Sequence, residues 1–209
     1  MTVVHPIEAE SYRILAERVD LSAHPPLTAA IVARVIHASA DVDYATSMVV
    51  DEAAADAAVV ALAAGAPVIV DVEMLRHGIS GVDAHCYLPD RFTWSLRASA
   101  ALRSSLAETG TTRSAAGIRE AARLHPHGAV VVVGCAPTAL DEVVRLHQAG
   151  LYSPVLVVGM PVGFVGAAES KARLRASGMP AISNVGEKGG SAVAAAAVNV
   201  LLRMAADRG

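Results

Sequence analysis

Between Gly128 and Ala205 the chain carries the same small pattern three times. GAVVVVG leads into CAPTALDEVVRLHQAG, PVLVVG into MPVGFVGAAESKARLRASG, and AISNVG into EKGGSAVAAAAVNVLLRMAADRG. Each unit is a short β-branched apolar run, a turn rich in Gly and Pro, and a segment of helical composition. Val runs of this length suit strands buried on both faces, which occur in parallel sheets covered by helical crossovers. The expected fold class is therefore α/β, a single three-layer domain with a mainly parallel sheet and helices on both faces. The three Gly-rich turns then leave the carboxyl ends of neighbouring strands, the edge at which open α/β sheets hold their ligands.

Residues 1–209 read as one domain, because no Pro/Gly/Ser-rich linker divides them and 54% hydrophobic residues suffice for one sizeable core. Seventeen basic and twenty acidic residues are mixed along the sequence, with a net charge of -3. No basic stripe is available to neutralise a nucleic-acid backbone, so nucleic acid is not an expected partner. Aromatic residues make up only 3%, which argues against base-stacking or carbohydrate platforms. Cys86 and Cys135 form no CxxC pair, and Glu8, Glu10, Arg13 and Glu17 give the amino end none of the character of a signal peptide. A reduced, cytoplasmic protein with no membrane span is expected.

PIEAESYRILAERV predicts an amphipathic helix with Ile7, Ser11, Ile14, Leu15 and Val19 available for one side. Ser11 and Arg13 point about 200 degrees apart in a regular helix, so they do not share a face. LTAAIVARVIHAS predicts a second helix, with His37 at the end of its apolar run. That histidine suits either a core or capping role through a carbonyl, or a general acid or base. Asp41 and Asp43 follow, but the remaining calcium-loop ligands are missing and no His/Cys cluster supports zinc, so no metal is expected. DEAAADAAVVALAAG predicts a helix started by Asp51 and stopped at Gly65.

APVIV predicts a strand and Asp71 or Val72 the start of a short helix, where Asp71 would cap its own helix or act as an acid or base. GVDAHCYL predicts another strand, in which His85 points away from Cys86, so the two form no nucleophile pair. LRASAALRSSLAETG has helical composition. TTRSAAGIREAARL starts afresh, capped by Thr111 or Thr112, with Arg113 in the first turn. A cation there opposes the helix dipole, which is accounted for if Arg113 faces an anion; the alternative is a solvated side chain. Thr138 and Asp141 stand three apart, as in a capping box. Gly159, Gly163 and Gly166 thin a loop that is neither a Walker A loop nor a dinucleotide fingerprint. Lys188, Gly189, Gly190 and Ser191 bring an ammonium, backbone donors and a hydroxyl to one helix amino end, a generic cradle for a carboxylate or phosphate.

RVIHAS, DVEMLRHGI, GTTRSAA, GCAPTAL, GMPVGFVGAAESK and KGGSAVAAAAVN together resemble the precorrin-8X methylmutase family, also found as cobalt-precorrin-8 methylmutase, from about Glu10 to Leu202. The resemblance implies an α/β homodimer with active sites near the subunit interface. It implies an isomerase of cobalamin biosynthesis that moves the C-11 methyl group of precorrin-8X to C-12, giving hydrogenobyrinate, with no cofactor and no metal of its own. His37 matches the family's catalytic histidine and would donate or hold a proton on the ring. Ser11 and Arg113 match positions that hold the ring or its carboxylates, and Arg13, Lys188, Gly163 and Gly166 are further candidates for substrate binding. Cys135, Ala40 and Glu187 depart from the family's usual Asn, Gly and Arg. Two rival readings are a protein that binds a tetrapyrrole without converting it and a nucleotide-binding enzyme built on the GMPVGFVG turn. The sequence leaves open whether the substrate carries cobalt.

Overall fold

The structure, a computed structural model, describes residues 5–90 and 112–208. The helix expected over LRASAALRSSLAETG falls outside them. Six strands form one sheet in the order β1-β6-β5-β4-β2-β3, where β1 is Met48–Val50, β2 Val68–Val70, β3 His85–Cys86, β4 Val130–Val133, β5 Leu156–Gly159 and β6 Ala181–Asn184. Every neighbouring pair is parallel except β1 with β6.

Nine helices are described: α1 Pro6–Arg18, α2 Pro26–Ser39, α3 Tyr44–Ser47, α4 Glu52–Ala63, α5 Glu73–Gly78, α6 Arg113–Leu124, α7 Pro137–Gln148, α8 Ala167–Ala176 and α9 Ser191–Arg208. They cover both faces of the sheet, which sorts the Val run of β4 by parity. Val130 and Val132 enter a core shared with α1, α2, α4, α5 and α9, whereas Val131 and Val133 enter one shared with α6, α7 and α8. All four are fully buried, the state for which an unbroken β-branched run is suited.

Several local choices explain the elements that carry the site. Pro6 and Pro26 start α1 and α2, where a missing N–H costs nothing. The amino end of α2 is also capped from outside: the Glu52 carboxylate accepts the amides of Leu27 (3.0 Å) and Thr28 (2.7 Å) and the Thr28 hydroxyl (2.6 Å). At its other end Ala40 adopts a left-handed conformation, φ 54° and ψ 24°, and donates its N–H to Ile36 O at 2.7 Å. A glycine would take that conformation without a Cβ penalty.

Three details differ from the sequence reading. Strand β1 is absent from it, because three residues give too short a pattern and β1 runs against the rest of the sheet. GVDAHCYL supplies only His85 and Cys86 as strand. On α1 the buried position is Leu15, and Ile7 is 75% exposed, because the face toward α2 runs through Tyr12 and Leu15.

Candidate active site

Helices α1 and α2 meet along a seam of two polar pairs. Ser11 Oγ lies 2.7 Å from Nδ1 of His37, and one turn earlier on both helices Arg34 donates Nη1–H to Glu8 at 3.0 Å. Both pairs are partly buried. The two pairs repeat at a spacing of three residues on each helix, so the helices run alongside each other here. Tyr12 closes one face of the His37 ring, with centroids 5.0 Å apart and planes 11° from parallel.

Ser11 therefore fixes one nitrogen of the imidazole and Tyr12 fixes one face. Among the described residues no hydrogen-bond partner stands at Nε2. A hydroxyl accepts from Nδ1–H or donates to a bare Nδ1, so the contact survives a change in the ring's protonation. A cavity of about 310 Å³ opens beside the pair, lined by Ile7, Ser11, Ile14, Leu15, Ile36 and His37 among others. A ring held on one side and open on the other can exchange a proton with a ligand at Nε2.

The other predicted residues lie elsewhere. Arg13 faces solvent and pairs with Glu10 and Glu17 of its own helix, as the 200 degree separation from Ser11 requires. Arg113 begins α6, on the opposite face of the sheet, and donates Nε–H to the Pro89 carbonyl at 3.0 Å. Its position in the first turn is thus explained by a carbonyl dipole within the chain. Thr112 caps that helix through the Ala115 amide at 3.2 Å.

The two Gly-rich signatures pack on each other. Gly163 donates its N–H to Glu187 O at 3.1 Å, and Gly190 donates to Met160 O at 2.8 Å. A Cβ on Gly189 would stand 2.3 Å from the Met160 carbonyl oxygen, so only glycine allows this approach. Gly166, at φ 79°, is the N-cap of α8. Lys188 Nζ contacts both Asp41 and Asp43 at 2.6 Å, and these carboxylates hold its ammonium above the usual lysine range. The expected carboxylate cradle thus has its cation engaged by two side chains of the turn that follows α2.

Asp71 does not cap its own helix, whose N-cap is Val72. Its carboxylate accepts the amides of Gly134 (3.2 Å), Cys135 (3.0 Å) and Ala136 (2.8 Å), tying the end of β2 to the turn after β4. Burial raises its pKa, and the three amides oppose that shift. Thr138 shares a hydroxyl contact of 2.7 Å with Thr112, and Asp141 pairs with Arg173, so no capping box forms; Ala136 is the N-cap of α7. Burial pushes the Cys86 thiol up to about 11, which keeps it protonated near neutral pH.

Sequence reasoning missed Tyr12, Arg34 and Lys171. A residue beside Ser11 and three before Leu15 belongs to the inward face of α1, which was the available signal for Tyr12. Lys171 is fully buried, and its ammonium donates to Asn184 Oδ1 at 3.2 Å and to the Lys188 carbonyl. Burial pulls its pKa down to about 8. Among the described residues no three His, Cys, Asp or Glu side chains converge as a metal site, and no helix is long and apolar enough to cross a membrane.

A family model described as Precorrin-8X methylmutase matches residues 6–204. The chain is 37% identical over 204 residues to the cobalt-precorrin-8 methylmutase of Methanothermobacter thermautotrophicus, covering 97% of this chain and 94% of that protein. It is 39% identical over 199 residues to the precorrin-8X methylmutase of Pseudomonas aeruginosa, covering 93% of each. Among solved structures it is similar to the precorrin-8X methylmutase of Thermus thermophilus, with a TM-score of 0.82, 33% identity and 97% of each chain covered.

Proposed function

Since the chain belongs to the precorrin-8X methylmutase family, we propose that it moves the C-11 methyl group of precorrin-8X to C-12, giving hydrogenobyrinate, with His37 as the proton donor or proton holder. Methylmutase activity on a precorrin-type tetrapyrrole follows from the family; the regiochemistry and the role of His37 are our reading. The observation that carries it is the imidazole held at Nδ1 by Ser11 and on one face by Tyr12, with Nε2 left open.

The step is a rearrangement within one conjugated ring. A methyl shift between neighbouring ring carbons needs placement of the macrocycle and control of one proton, and a restrained imidazole serves the second requirement. Nε2–H would hydrogen-bond or protonate the ring system so that electron density follows the migrating methyl group. Ser11 keeps the ring oriented while Nε2 changes its proton. In this reading the protein acts as a homodimer, and Arg113, at the start of α6, holds a peripheral carboxylate of the macrocycle. Lys188 and Gly163, already engaged within the fold, would shape the rim together with Gly166, and Arg13 would reach substrate only by leaving its two glutamates.

Relatives named for both the metal-free and the cobalt-bearing substrate stand at similar identity, so either form fits this reading. The test is incubation with precorrin-8X and with its cobalt form, followed by NMR location of the methyl group. Product methylated at C-12 supports the proposal. Unchanged substrate under conditions of demonstrated binding would leave a tetrapyrrole-binding protein.

A further inference from the structure

Resting on the reading that His37 handles the proton, we infer that Lys188 is a positioning residue for the reaction. By bridging Asp41 and Asp43 it clamps the last turn of α2, which carries His37, to the Gly-rich loop before α9.

The last turn of a helix has carbonyls without intrahelical partners and opens more readily than its middle. His37 stands in that turn, two residues before α2 ends at Ser39. Ser11 and Tyr12 restrain its ring from α1, but they do not hold the chain beyond it. There Ala40, which lines the cavity beside His37, takes the chain out of the helix in its left-handed conformation. The bonds that follow are local: Ser39 Oγ accepts the Asp41 amide at 3.3 Å, and Asp41 Oδ1 accepts the Asp43 amide at 3.0 Å. Among the described residues, the hydrogen bonds from residues 39–43 to a distant part of the chain all come from Lys188 Nζ, 2.6 Å from one oxygen of each aspartate.

The other end of the clamp is anchored inside the protein. The Lys188 carbonyl accepts from Lys171 Nζ and, at 2.8 Å, from Asn184 Nδ2, and both of those residues are fully buried. Arg175 donates to the Asn184 carbonyl at 2.7 Å, and Gly189 leaves no room for a Cβ against Met160. The backbone of Lys188 is therefore fixed while its side chain reaches the turn after α2. An exposed ion pair contributes little to global stability, so the clamp acts locally on the turn it holds. Placement of a reacting group matters far more to rate, since an error of about 1 Å can cost about 100-fold.

The test compares wild type with Lys188→Met, Lys188→Arg, the pair Asp41→Asn with Asp43→Asn, and that pair combined with Lys188→Met. Each is measured for precorrin-8X kinetics, for hydrogenobyrinate affinity by absorbance titration and, without ligand, for amide hydrogen exchange. Lys188→Met and the Asn pair should each lower kcat about 10-fold, with KM and hydrogenobyrinate affinity within about 3-fold and the urea midpoint near wild type. The combined variant should be no slower than either, because both remove the same contact, and Lys188→Arg should recover most of the rate. Exchange of the Ala40 amide, bonded to Ile36 O at 2.7 Å, should quicken equally in Lys188→Met and the Asn pair. A lysine that instead held a substrate carboxylate would give the opposite pattern: Lys188→Met would weaken hydrogenobyrinate binding and the Asn pair, which frees the ammonium, would strengthen it. That pattern, or wild-type kcat and exchange in Lys188→Met, overturns the inference. If wild type does not convert precorrin-8X, the reaction reading fails, and the exchange comparison alone decides whether the clamp holds the turn.

Discussion

The Ser11 hydroxyl oxygen lies 2.7 Å from Nδ1 of His37, and among the described residues this is the one polar contact made by the ring. The contact joins α1 to α2, so the amino-terminal helix is part of the site and does more than cover the core. Ser11→Ala removes it without adding bulk. We expect kcat to fall about 10-fold or more with KM changed less than about 3-fold, because a free imidazole loses orientation rather than substrate affinity. Steady-state kinetics with precorrin-8X check this; a change confined to KM would make Ser11 a substrate contact.

Tyr12 acts on the same ring through its face. Because its planes are within 11° of the imidazole's, an aromatic ring suffices and the phenolic hydroxyl is dispensable. Tyr12→Phe should keep kcat within about 2-fold, whereas Tyr12→Leu should lower it about 3- to 10-fold. The comparison of the two variants is the measurement, since a role for the hydroxyl would affect Tyr12→Phe equally.

The left-handed turn at Ala40 follows His37 by three residues and carries a non-glycine side chain at φ 54°. A Cβ in that region costs roughly 1–2 kcal/mol. Part of this is offset because glycine gains freedom in the unfolded chain, so Ala40→Gly should stabilise the fold by about 0.5–1 kcal/mol. Urea denaturation gives the difference at once, and a destabilised variant would contradict the strain.

Lys171 makes stability depend on alkaline pH. Its folded pKa is about 8, below the unfolded value of about 10.4, so between these values the unfolded state binds more protons. Stability contributed at this site therefore rises as pH climbs from about 8 to about 10.4 and is flat below about 8. Lys171→Met should abolish that rise while costing about 1–3 kcal/mol at pH 7, because Asn184 Oδ1 loses its donor and the Lys188 carbonyl keeps only the one from Asn184 Nδ2. Denaturation midpoints of both proteins across pH 7–10 decide it.

The sheet was legible because buried parallel strands write themselves as Val runs and because each was followed by a turn and a helix. His37 and Ser11 were legible only through the family's motifs, since a histidine at the end of a helix and a serine in an amphipathic one have ordinary structural explanations. Their contact joins residues 26 apart, and no local pattern reports it. For the same reason the partners of Lys188 and Arg113 could not be read: Asp41 and Asp43 meet Lys188 from across the fold, and Pro89 meets Arg113 through a backbone carbonyl. From sequence the Gly-rich loops read as ligand cradles, because a glycine-thinned turn leaves its amides without obvious partners. In the fold those of Gly163 and Gly190 are used to join one loop to the other.

The central claim is that His37 controls the proton in the methyl shift rather than holding the macrocycle. His37→Ala, compared with wild type for hydrogenobyrinate affinity by absorbance titration and for conversion of precorrin-8X under single-turnover conditions, tests it most directly. The account predicts that affinity stays within about 3-fold while the rate falls about 100- to 10,000-fold. A loss of affinity as large as the loss of rate, or a rate that survives the substitution, would contradict it.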